Sequence, residues 1–493
     1  MKDESKFSKV LSILLSVVLV ISSFYLLYQV IRLNVLPTKF LFPLTIGVVV
    51  LDAIFILLLI YFSKNVVSKI ICIVLTLFIC AASCMGGYYI SKTQNVLSSI
   101  TNVAKHAKNT VSVIVKESSS IKNKSQLNGA SVGSLRLNEQ GSKKVLKELS
   151  GEGIALNQTE YDSMTALLEA FYNGEVDSII INESSRSQIL DMEAYSNFDS
   201  NTRVVYQTSY KVKNNDSATS VSDITSKPFN VLISGSDTRG GFDENGRSDV
   251  IMVATVNPKT HTILLTSVPR DFYVTTACDA GDGCMQGALD KITHTGIHGT
   301  NTTKRTVEQL LGIEINYTFK VGFDTVTELV DILGGVDVYV EPGYATTTSE
   351  FSVHEGVNHL NAQQALAFAR ERYSYTEGDR QRTKNQQQVL MGIVKEATKP
   401  SVITNYAAIM DTMANTFSTT MSNAEITDLI KYQLNNNPTW KMEQYMVDGT
   451  GDTLMCAELG DAASVMVPDQ STVKMAKDKI NAVLAGKSSE DVK

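Results

Sequence analysis

The sequence predicts an α/β protein: three N-terminal transmembrane helices, then a small α/β accessory domain, then a larger α/β domain with a central mixed sheet flanked by helices. Three observations lead to this prediction. Three apolar runs lie within the first 91 residues. Strand-like and helix-like segments alternate from residue 111 onward. From residue 229, strands of alternating pattern end in charged or glycine-rich turns.

The apolar runs cover residues 10–31, 40–62 and 70–90, and Asp52 is the one charge within the second run. Each run reaches the ~20 residues that cross ~30 Å of hydrocarbon. A cleaved signal peptide is the alternative for the first run, but that run is longer than the apolar region of a signal, and two further runs follow it. Residues 1–91 are therefore predicted to be a membrane anchor of three uncleaved spans.

Charges beside the runs predict the orientation of the anchor, because Lys and Arg are more frequent near cytoplasmic ends. The residues on the predicted cytoplasmic side are Lys2, Lys6, Lys9, Lys64 and Lys69. The opposite loop carries only Arg32 and Lys39. We expect a multi-pass cell-membrane protein with a cytoplasmic N-terminus and extracellular C-terminal domains. Asp52 would lie in mid-membrane, with either a packing role or a functional one.

Charge and cysteine content exclude several classes of protein. Residues 1–90 carry seven Lys or Arg and three Asp or Glu, whereas residues 91–493 carry 37 and 48, so the acidic part is the predicted ectodomain. A net charge of −7 argues against bulk binding of nucleic acid. Six cysteines exclude a disulfide-dense scaffold. Cys278 and Cys284 bracket a Gly/Asp loop and are predicted to form a disulfide outside the cell, whereas Cys456 has no obvious mate.

The anchor leads into a predicted helical stalk at 92–110 and an accessory domain at 111–213. The predicted elements of the accessory domain are a strand at 111–116, helices at 142–149 and 161–173, and a strand at 178–182. This order of elements resembles part of a periplasmic solute-binding lobe, and no nucleophile, metal cluster or phosphate loop occurs in it. We interpret the domain as a scaffold or a binding module. Residues 214–228 are the predicted linker.

The larger domain is predicted at 229–486, ahead of a short tail at 487–493. Its predicted elements are strands at 229–237, 250–258 and 262–269, helices at 302–311 and 324–333, a strand at 336–340, a helix from Asn361, a helix at 386–397, and a helix opened by a capping box from Ser422 to Glu425. The pattern is that of a single α/β domain with a central sheet.

Charged residues of this domain gather where strands end, and strand ends in open α/β sheets are common ligand sites. The residues concerned are Asp237, Arg239, Arg247, Asp249, Arg270, Asp271, Arg370, Arg372, Asp379, Arg380, Arg382 and Gln386. The planar fork of arginine suits phosphate oxygens, and several converging forks suit a pyrophosphate. Carboxylates among them suit Mg²⁺, which takes one or two carboxylates plus substrate phosphates. A set of surface salt bridges is the alternative interpretation.

The spacing of Arg370 and Arg372 favours a site, because residues two apart share a face only in extended chain. The helix from Asn361 must then end near Ala369. His294 and His298 are four residues apart, but the surrounding Thr and Gly residues indicate a loop. No Glu follows the first His as in the HExxH motif, so we discount a zinc site.

The segments NVLISGSDTR, RSDVIMVATVNP, ILLTSVPRDFYV and LNAQQALAFARERY, the last followed by GDRQRTKNQQQVL, stand in this order between residues 229 and 390. In these segments the chain resembles the LytR–CpsA–Psr family, most closely the streptococcal capsule-locus CpsA-type members. The three predicted spans and the extra extracellular domain also resemble the capsule-type architecture.

The resemblance implies a phosphotransferase of capsule biosynthesis, dependent on Mg²⁺ or Mn²⁺, on the outer membrane face of a Gram-positive cell. Such an enzyme moves capsular polysaccharide or a related glycopolymer from undecaprenyl pyrophosphate onto peptidoglycan, with other capsule-assembly proteins as further partners. Position by position, the implied metal ligands are Asp237 and Asp249, and the implied catalytic residues are Arg270, Asp271 and Asp379. The implied pyrophosphate ligands are Arg247, Arg270, Arg370, Arg372, Arg380, Arg382 and Gln386. An apolar tunnel lined by the strands and the helix at 324–333 would hold the polyprenyl tail.

Two points stay open. Arg380 and Lys384 add positive charge where the family pattern expects one main arginine, so the assignments at 380 and 382 are uncertain by one register. The alternative functions are a membrane-bound regulator of capsule gene expression and a non-catalytic polyprenyl-pyrophosphate-binding assembly protein. The predicted cytoplasmic part is too small for a helix-turn-helix, so direct DNA binding is not expected.

Overall fold

The computed structural model of the chain describes residues 6–62, 65–101, 106–136, 139–236, 244–279, 282–399, 406–413 and 417–493. The chain divides into two compact units. The first contains residues 1–101, 397–414 and 422–439, and the second contains residues 102–396, 415–421 and 440–493.

The helices are α1 (Lys6–Leu33), α2 (Thr38–Leu57), α3 (Val66–Thr101), α4 (Glu139–Gly151), α5 (Met164–Asn173), α6 (Arg186–Asp191), α7 (Phe198–Asn201), α8 (Thr300–Leu311), α9 (Phe323–Leu333), α10 (Ala362–Arg370), α11 (Asp379–Ala397), α12 (Tyr406–Met413), α13 (Asn423–Asn436) and α14 (Gln470–Leu484). The strands are β1 (His106–Lys116), β2 (Ser131–Leu135), β3 (Asn157–Tyr161), β4 (Ser178–Asn182), β5 (Thr202–Lys213), β6 (Phe229–Ser236), β7 (Ser248–Asn257), β8 (Thr262–Ser267), β9 (Tyr273–Thr275), β10 (Leu289–Lys291), β11 (Tyr317–Gly322), β12 (Val336–Val340), β13 (Thr346–Thr347), β14 (Ser352–Val353), β15 (Gly356–Leu360), β16 (Phe417–Thr419), β17 (Lys441–Met446), β18 (Gly449–Cys456) and β19 (Asp461–Pro468). The mixture confirms the predicted α/β fold class.

The N-terminal helices have the length and composition of a membrane anchor. Within the described residues, three helices are long and apolar enough to cross a membrane, namely Ser8–Leu33, Thr38–Phe62 and Val66–Thr101. α3 has 36 residues, which is about 54 Å at 1.5 Å per residue and well beyond the ~30 Å of a hydrocarbon core. The first part of the predicted stalk is therefore a direct continuation of the third apolar helix.

Asp52 has a partner inside the bundle of apolar helices. The Ser23 hydroxyl on α1 donates a hydrogen bond to Asp52 Oδ1 on α2 at 2.9 Å. A carboxylate within an apolar segment usually faces a neighbouring helix and a polar partner. The contact supports the packing role among the two roles that the sequence left open.

Helices from late in the chain pack at the end of α3. Lys92 Nζ forms an ion pair with Asp411 on α12 at 2.6 Å. The Thr101 hydroxyl donates to Asn423 Oδ1 on α13 at 2.6 Å. The loop between α1 and α2 reaches the same helix, because Lys39 Nζ donates to the Asn435 carbonyl at 2.6 Å. α12 and α13 therefore belong with the anchor in the first unit.

The accessory part of the second unit is a mixed sheet in the order β3-β2-β4-β1-β5. β2 pairs in parallel with β3 and β4, and β1 pairs antiparallel with β4 and β5. α5 begins after Ser163, whose side chain accepts from Ala166 N, and it ends at Gly174 in the left-handed region with φ of 81°.

Two boundaries here differ from the sequence predictions. β1 begins at His106 rather than residue 111, because residues 106–110 pair with the end of the long strand β5 and so replace the end of the predicted helical stalk. α5 begins at Met164 rather than residue 161, because Tyr161 pairs with Leu135 as the last residue of β3. Both segments carry polar residues that give little strand signal on their own.

The accessory sheet and the larger domain share one hydrophobic core. Leu167 and Phe171 of α5 and Ile179 of β4 cluster with Cys456 and Val465 of the β18–β19 hairpin. Cys456 is fully buried in this core, and burial raises the pKa of its thiol to about 12. Cys456 therefore acts as a small apolar residue, which explains a cysteine that the sequence left without a mate.

The larger domain is built on a central mixed sheet in the order β16-β11-β6-β7-β8-β17, as predicted. β6, β7 and β8 form an antiparallel meander, and β11 and β17 add parallel pairings at either side. One hydrophobic cluster joins this sheet to α8 and α14. A second cluster joins α9, β12, β15, α10 and α11. Cys278 and Cys284 form the predicted disulfide.

Candidate functional site

Arg247, Asp249, Arg270 and Asp271 lie near one edge of the central sheet. β7 begins where β6 ends, with Ser236 opposite Ser248. β8 runs antiparallel to β7, so the residues that follow β8 approach the start of β7. The meander therefore brings together two charged pairs that are more than 20 residues apart in the sequence.

Asp249 is the centre of this group. Arg270 Nη1 donates to Asp249 Oδ1 at 2.8 Å, and Arg247 Nε lies 3.9 Å from the same oxygen. The side chains are 13% exposed for Asp249, 17% for Arg270 and 12% for Arg247. Burial alone would lower the pKa of Arg270, but the charges of Asp249, Asp271 and Asp379 raise it above its usual value. The guanidinium therefore keeps its charge.

α11 adds Arg382 to the group. Asp379 and Arg382 are three residues apart on this helix and form an ion pair. Burial lowers the pKa of Arg382, and the positive charges of Arg270 and Arg372 lower it further. The negative charges of Asp379 and Asp249 offset only part of this effect. These electrostatic interactions show that arginines from the sheet edge and from the α10–α11 segment converge on one place.

Three buried guanidinium nitrogens in this group have unsatisfied hydrogen-bonding capacity. Among the residues that the structure describes, the Nε atoms of Arg247, Arg270 and Arg382 are buried and have no hydrogen-bond partner. A buried donor without a partner costs about 1–3 kcal/mol, and more when it is charged. An anion with several oxygens would supply both the acceptors and the negative charge. The three arginines therefore have donors available for a ligand that carries acceptor oxygens.

The helix boundaries decide which of the neighbouring arginines reach this site. α10 ends at Arg370, and Glu371 is extended with ψ of 129°, close to the predicted end at Ala369. α11 begins at Asp379, seven residues before the predicted start at 386. The first turns of α11 are polar, because they face the site, and the apolar stripe used for the prediction starts only after them.

Arg380 does not join the group. Its Nε donates to Asp448 at 2.8 Å and its Nη2 to the Gly449 carbonyl at 2.7 Å. Positions two apart on a helix point about 200° apart around its axis, so Arg380 and Arg382 face different surfaces. The structure thus places Arg382 beside Asp379, whereas Arg380 contacts Asp448 and Gly449. The role of Arg380 as a pyrophosphate ligand stays a prediction. Lys384 pairs with Glu377 instead.

The remaining predicted residues lie around the group. Arg370 is the exposed last residue of α10. Arg372 donates to the Tyr373 hydroxyl at 2.6 Å and lies 4.7 Å from the centre of its ring. Asp271 lies 3.8 Å from Arg270 Nε and 3.2 Å from Lys291 Nζ. Gln386 follows Arg382 by one helical turn on α11 and is half-buried.

Sequence reasoning missed two residues that contact the group. Lys291 holds Asp271 from β10, and no motif marks it. Asp191, the last residue of α6 in the accessory domain, forms an ion pair with Arg247. A signal for Asp191 was absent because the contact joins two domains through residues that are 56 positions apart along the chain.

The predicted metal ligands are only partly within the described residues. Asp237, like Arg239, lies outside them. Asp249 offers the hard carboxylate oxygens that Mg²⁺ prefers, next to the donors that suit a phosphate, so the donor chemistry fits the ion. Within the described ranges, no group of three or more His, Cys, Asp or Glu side chains is arranged to hold a metal ion.

The two histidines are engaged with carboxylates. His294 Nδ1 lies 2.7 Å from Asp290, and His298 Nε2 lies 2.9 Å from Glu458. Burial would lower the pKa of His298, but Glu458 raises it above its usual value. Each imidazole therefore has a structural partner of its own.

The fold and the site define an α/β protein with three long apolar N-terminal helices and a cluster of largely buried arginines and aspartates at one edge of its central sheet. The LytR_cpsA_psr family matches residues 194–482, more than half of the chain. The chain belongs to this family, as the motifs predicted.

Curated relatives and solved structures are similar to about half of the chain. The polyisoprenyl-teichoic acid–peptidoglycan teichoic acid transferase TagU of Bacillus cereus (strain AH820) is 31% identical over 241 residues, which cover 48% of this chain and 76% of the relative. TagU of Bacillus subtilis (strain 168) is 35% identical over 196 residues, or 40% of this chain and 60% of the relative. A crystal structure of a Streptococcus agalactiae protein is 25% identical, with a TM-score of 0.45, over 53% of this chain and 89% of that protein. The crystal structure of B. subtilis TagU is 28% identical, with a TM-score of 0.40, over 52% of this chain and 97% of that protein.

Proposed function

We propose that this protein transfers a glycopolymer from a polyprenyl pyrophosphate carrier onto peptidoglycan. One observation carries the proposal: the buried and unpartnered Nε atoms of Arg247, Arg270 and Arg382 converge beside Asp249. A pyrophosphate offers many oxygens and several negative charges to such donors. The relatives are named as polyisoprenyl-teichoic acid–peptidoglycan teichoic acid transferases, and this name supports the reaction class.

The finer substrate in this proposal is capsular polysaccharide carried by undecaprenyl pyrophosphate. Its support is the resemblance to capsule-locus members, together with the three apolar helices and the accessory domain. The proposed topology has the N-terminus in the cytoplasm and both C-terminal domains outside, where lipid-linked polymer and peptidoglycan meet. Other capsule-assembly proteins are proposed as further partners.

In the proposed mechanism, an acceptor hydroxyl of peptidoglycan attacks the phosphorus that is joined to the polymer. The new O–P bond forms as the bond to the lipid-side phosphate breaks, so polyprenyl phosphate leaves and the hydroxyl loses its proton. Arg247, Arg270 and Arg382 bind the phosphate oxygens and neutralise the charge that develops on them. Asp379 holds Arg382 in place, and Asp271 lies beside Arg270. A Mg²⁺ or Mn²⁺ ion held by Asp249 and Asp237 would supply further positive charge to those oxygens.

The direct test is attachment of polymer to the wall in cells that carry Arg270→Ala or Asp249→Asn. We expect each change to reduce attachment at least tenfold and to release polymer into the medium, because charge stabilisation in phosphoryl transfer is worth several kcal/mol. Arg380→Ala is the matched control, since this arginine is on the same segment and binds Asp448 instead. The measurement is the ratio of wall-bound to soluble polymer at equal protein level.

Wild-type attachment in both site variants would rule out the enzyme. If the variants lost attachment while purified protein bound the carrier without transferring polymer, the non-catalytic assembly role would replace the transferase. Unchanged attachment with altered capsule transcript levels would favour the regulator instead.

A further inference from the structure

The accessory domain reaches the oxyanion site through one side chain. Asp191, the last residue of α6, forms an ion pair with Arg247 Nη1. The Asp191 side chain is 57% exposed, whereas that of Arg247 is 12% exposed. The arginine is thus buried within the site, and its outer end is held by a carboxylate from the neighbouring domain.

Asp191 is carried by a firmly held segment. Arg186, at the start of α6, is buried and forms ion pairs with Glu183 at 2.6 Å and Asp199 at 2.9 Å. Ile189 in the same helix is fully buried in the core that the accessory domain shares with the β18–β19 hairpin. The position of the Asp191 carboxylate is therefore set by the packing of α6 and not by a mobile loop.

Two further contacts fix the accessory domain against the larger domain. Met164 N donates to the Leu459 carbonyl at 2.8 Å, at the start of α5. Glu244 is buried, accepts from the Thr110 hydroxyl of β1, and lies 3.2 Å from Lys108 Nζ. Glu244 precedes Arg247 by three residues, so the segment that leads into β7 is attached to the accessory sheet just before the arginine.

The ion pair with Asp191 leaves the Nε atom of Arg247 available to donate a hydrogen bond to a ligand. Asp191 engages Nη1, while Nε lies 3.9 Å from Asp249 and is buried without a hydrogen-bond partner. A free arginine side chain populates many rotamers and loses that entropy when it binds a ligand. A partner at one end removes much of that freedom in advance, and a half-exposed carboxylate repels a bound anion only weakly because solvent screens it.

We propose that Asp191 of the accessory domain is a positioning residue that orients Arg247 for the pyrophosphate of the donor substrate. The accessory domain is then a structural part of the transfer site. This inference rests on the proposed function for the identity of the anion, and it goes beyond that function by giving the accessory domain a role in it.

The test uses the full chain in detergent micelles or nanodiscs and measures binding of inorganic pyrophosphate by calorimetry. Asp191→Ala is expected to weaken binding about threefold to tenfold, the range of an oriented but partly exposed ion pair. Asp191→Asn keeps an acceptor of the same shape and is expected to recover part of the loss. Glu193→Ala removes a charge from an exposed position two residues away and is expected to bind as wild type. Thermal unfolding checks that each variant is folded.

A double-mutant cycle separates positioning from general effects. In an Arg247→Ala background, Asp191→Ala is expected to cause no further loss, because the residue acts only through the arginine. In the transfer reaction, Asp191→Ala is expected to raise KM for the lipid-linked donor and to leave kcat within about twofold.

Each contrary result has a distinct meaning. Tighter pyrophosphate binding in Asp191→Ala would show a competing carboxylate and overturn the inference. Unchanged pyrophosphate binding in Asp191→Ala would overturn the inference as well. So would an Asp191→Ala change that weakens pyrophosphate binding as much in the Arg247→Ala background as in the wild type. Failure of the wild-type protein to bind pyrophosphate would overturn the proposed function, and the inference with it.

Discussion

At the scale of single residues, buried arginines determine what the site can bind. Each guanidinium brings a fixed positive charge and several donors that need acceptors. Asp249 and Asp379 satisfy part of this demand for Arg270 and Arg382. The Nε donors of Arg247, Arg270 and Arg382 have no acceptor within the part of the chain that the structure describes. A phosphate group meets that requirement better than a sugar hydroxyl, because it carries charge as well as acceptors.

A single glutamate determines how the C-terminus responds to acid. Glu443 on β17 accepts from Ser489 N at 2.8 Å and from the Ser488 hydroxyl at 2.7 Å, and Lys441 Nζ lies 2.8 Å away. Burial would raise its pKa, but these partners lower it from 4.5 to about 2. The segment predicted as a tail, residues 487–493, is therefore attached to the central sheet.

We predict the pH dependence of stability from this shift. The unfolded chain takes up a proton on Glu443 near pH 4.5, whereas the folded protein does so only near pH 2. The stabilisation is thus complete above about pH 5 and is lost as the pH falls from there to about 2. Glu443→Gln should unfold more easily than wild type at pH 7, and the difference should shrink towards pH 3. Thermal unfolding between pH 3 and pH 7 measures it, and a constant difference over this range would contradict the prediction.

At the scale of elements, α11 connects the site to the core. Its first turns carry Asp379 and Arg382, and its later turns pack against β12. Gly392 allows this close packing, because a Cβ there would lie 2.8 Å from the Asp337 carbonyl oxygen and 3.0 Å from Val336 Cβ. The position of Arg382 therefore depends on a glycine ten residues further along the helix.

Gly392→Ala tests that dependence. The added methyl group meets backbone on β12, which cannot turn aside, so we expect a loss of about 1–3 kcal/mol in the free energy of unfolding. Pyrophosphate binding should weaken as well, because the whole helix must move. Gly151→Ala is the control: Gly151 ends α4 in open space, and alanine there should be neutral or stabilising by about 0.5–1 kcal/mol. Equal changes in the free energy of unfolding of the two variants would show that α11 is not tightly packed against β12.

The sequence predicts the ends of helices well where local capping interactions determine them. It predicts them less well where contacts between distant parts of the chain determine them. Capping boxes at Asn361 and Ser422 begin α10 and α13 as their sequences indicate. The start of α11 was not evident, because its polar first turns are explained only by the site they face. The motifs predict the residues at the sheet edge as candidates, whereas the different directions of the Arg380 and Arg382 side chains follow only from the structure. Asp191 could not be found, because the docking of two domains has no local signal.

At the scale of the whole molecule, the β18–β19 hairpin of the larger domain packs against the accessory sheet within the second unit. Leu459 and Val465 of the β18–β19 hairpin complete the core of the accessory sheet. Thr165 N also donates to Asp461 Oδ2 at 3.3 Å across the same boundary. The accessory and larger domains therefore share buried apolar surface, which is the main source of cooperativity between domains.

Leu459→Ala should destabilise both domains together. Truncation of a buried leucine costs about 2–5 kcal/mol, and here the cavity would lie between the domains. We expect one calorimetric transition of the second unit to move to lower temperature. Met455→Ala on the same hairpin removes a side chain that is 59% exposed and should change stability by less than about 0.5 kcal/mol. A variant in which one of two separate transitions moves would show that the domains unfold independently.

The unpaired arginine donors also have a consequence for the life of the protein in a cell. Any ligand that binds only the folded state raises the free energy of unfolding, by about 2.7 kcal/mol at a concentration one hundred times Kd. Because three buried cationic donors at the site lack partners among the described residues, a substrate anion that pairs with them adds its binding energy to the fold. Copies of the protein without bound donor substrate would unfold more often, and proteases would degrade them faster. The steady amount of this protein would then follow the supply of lipid-linked polymer, with no change in how fast it is made.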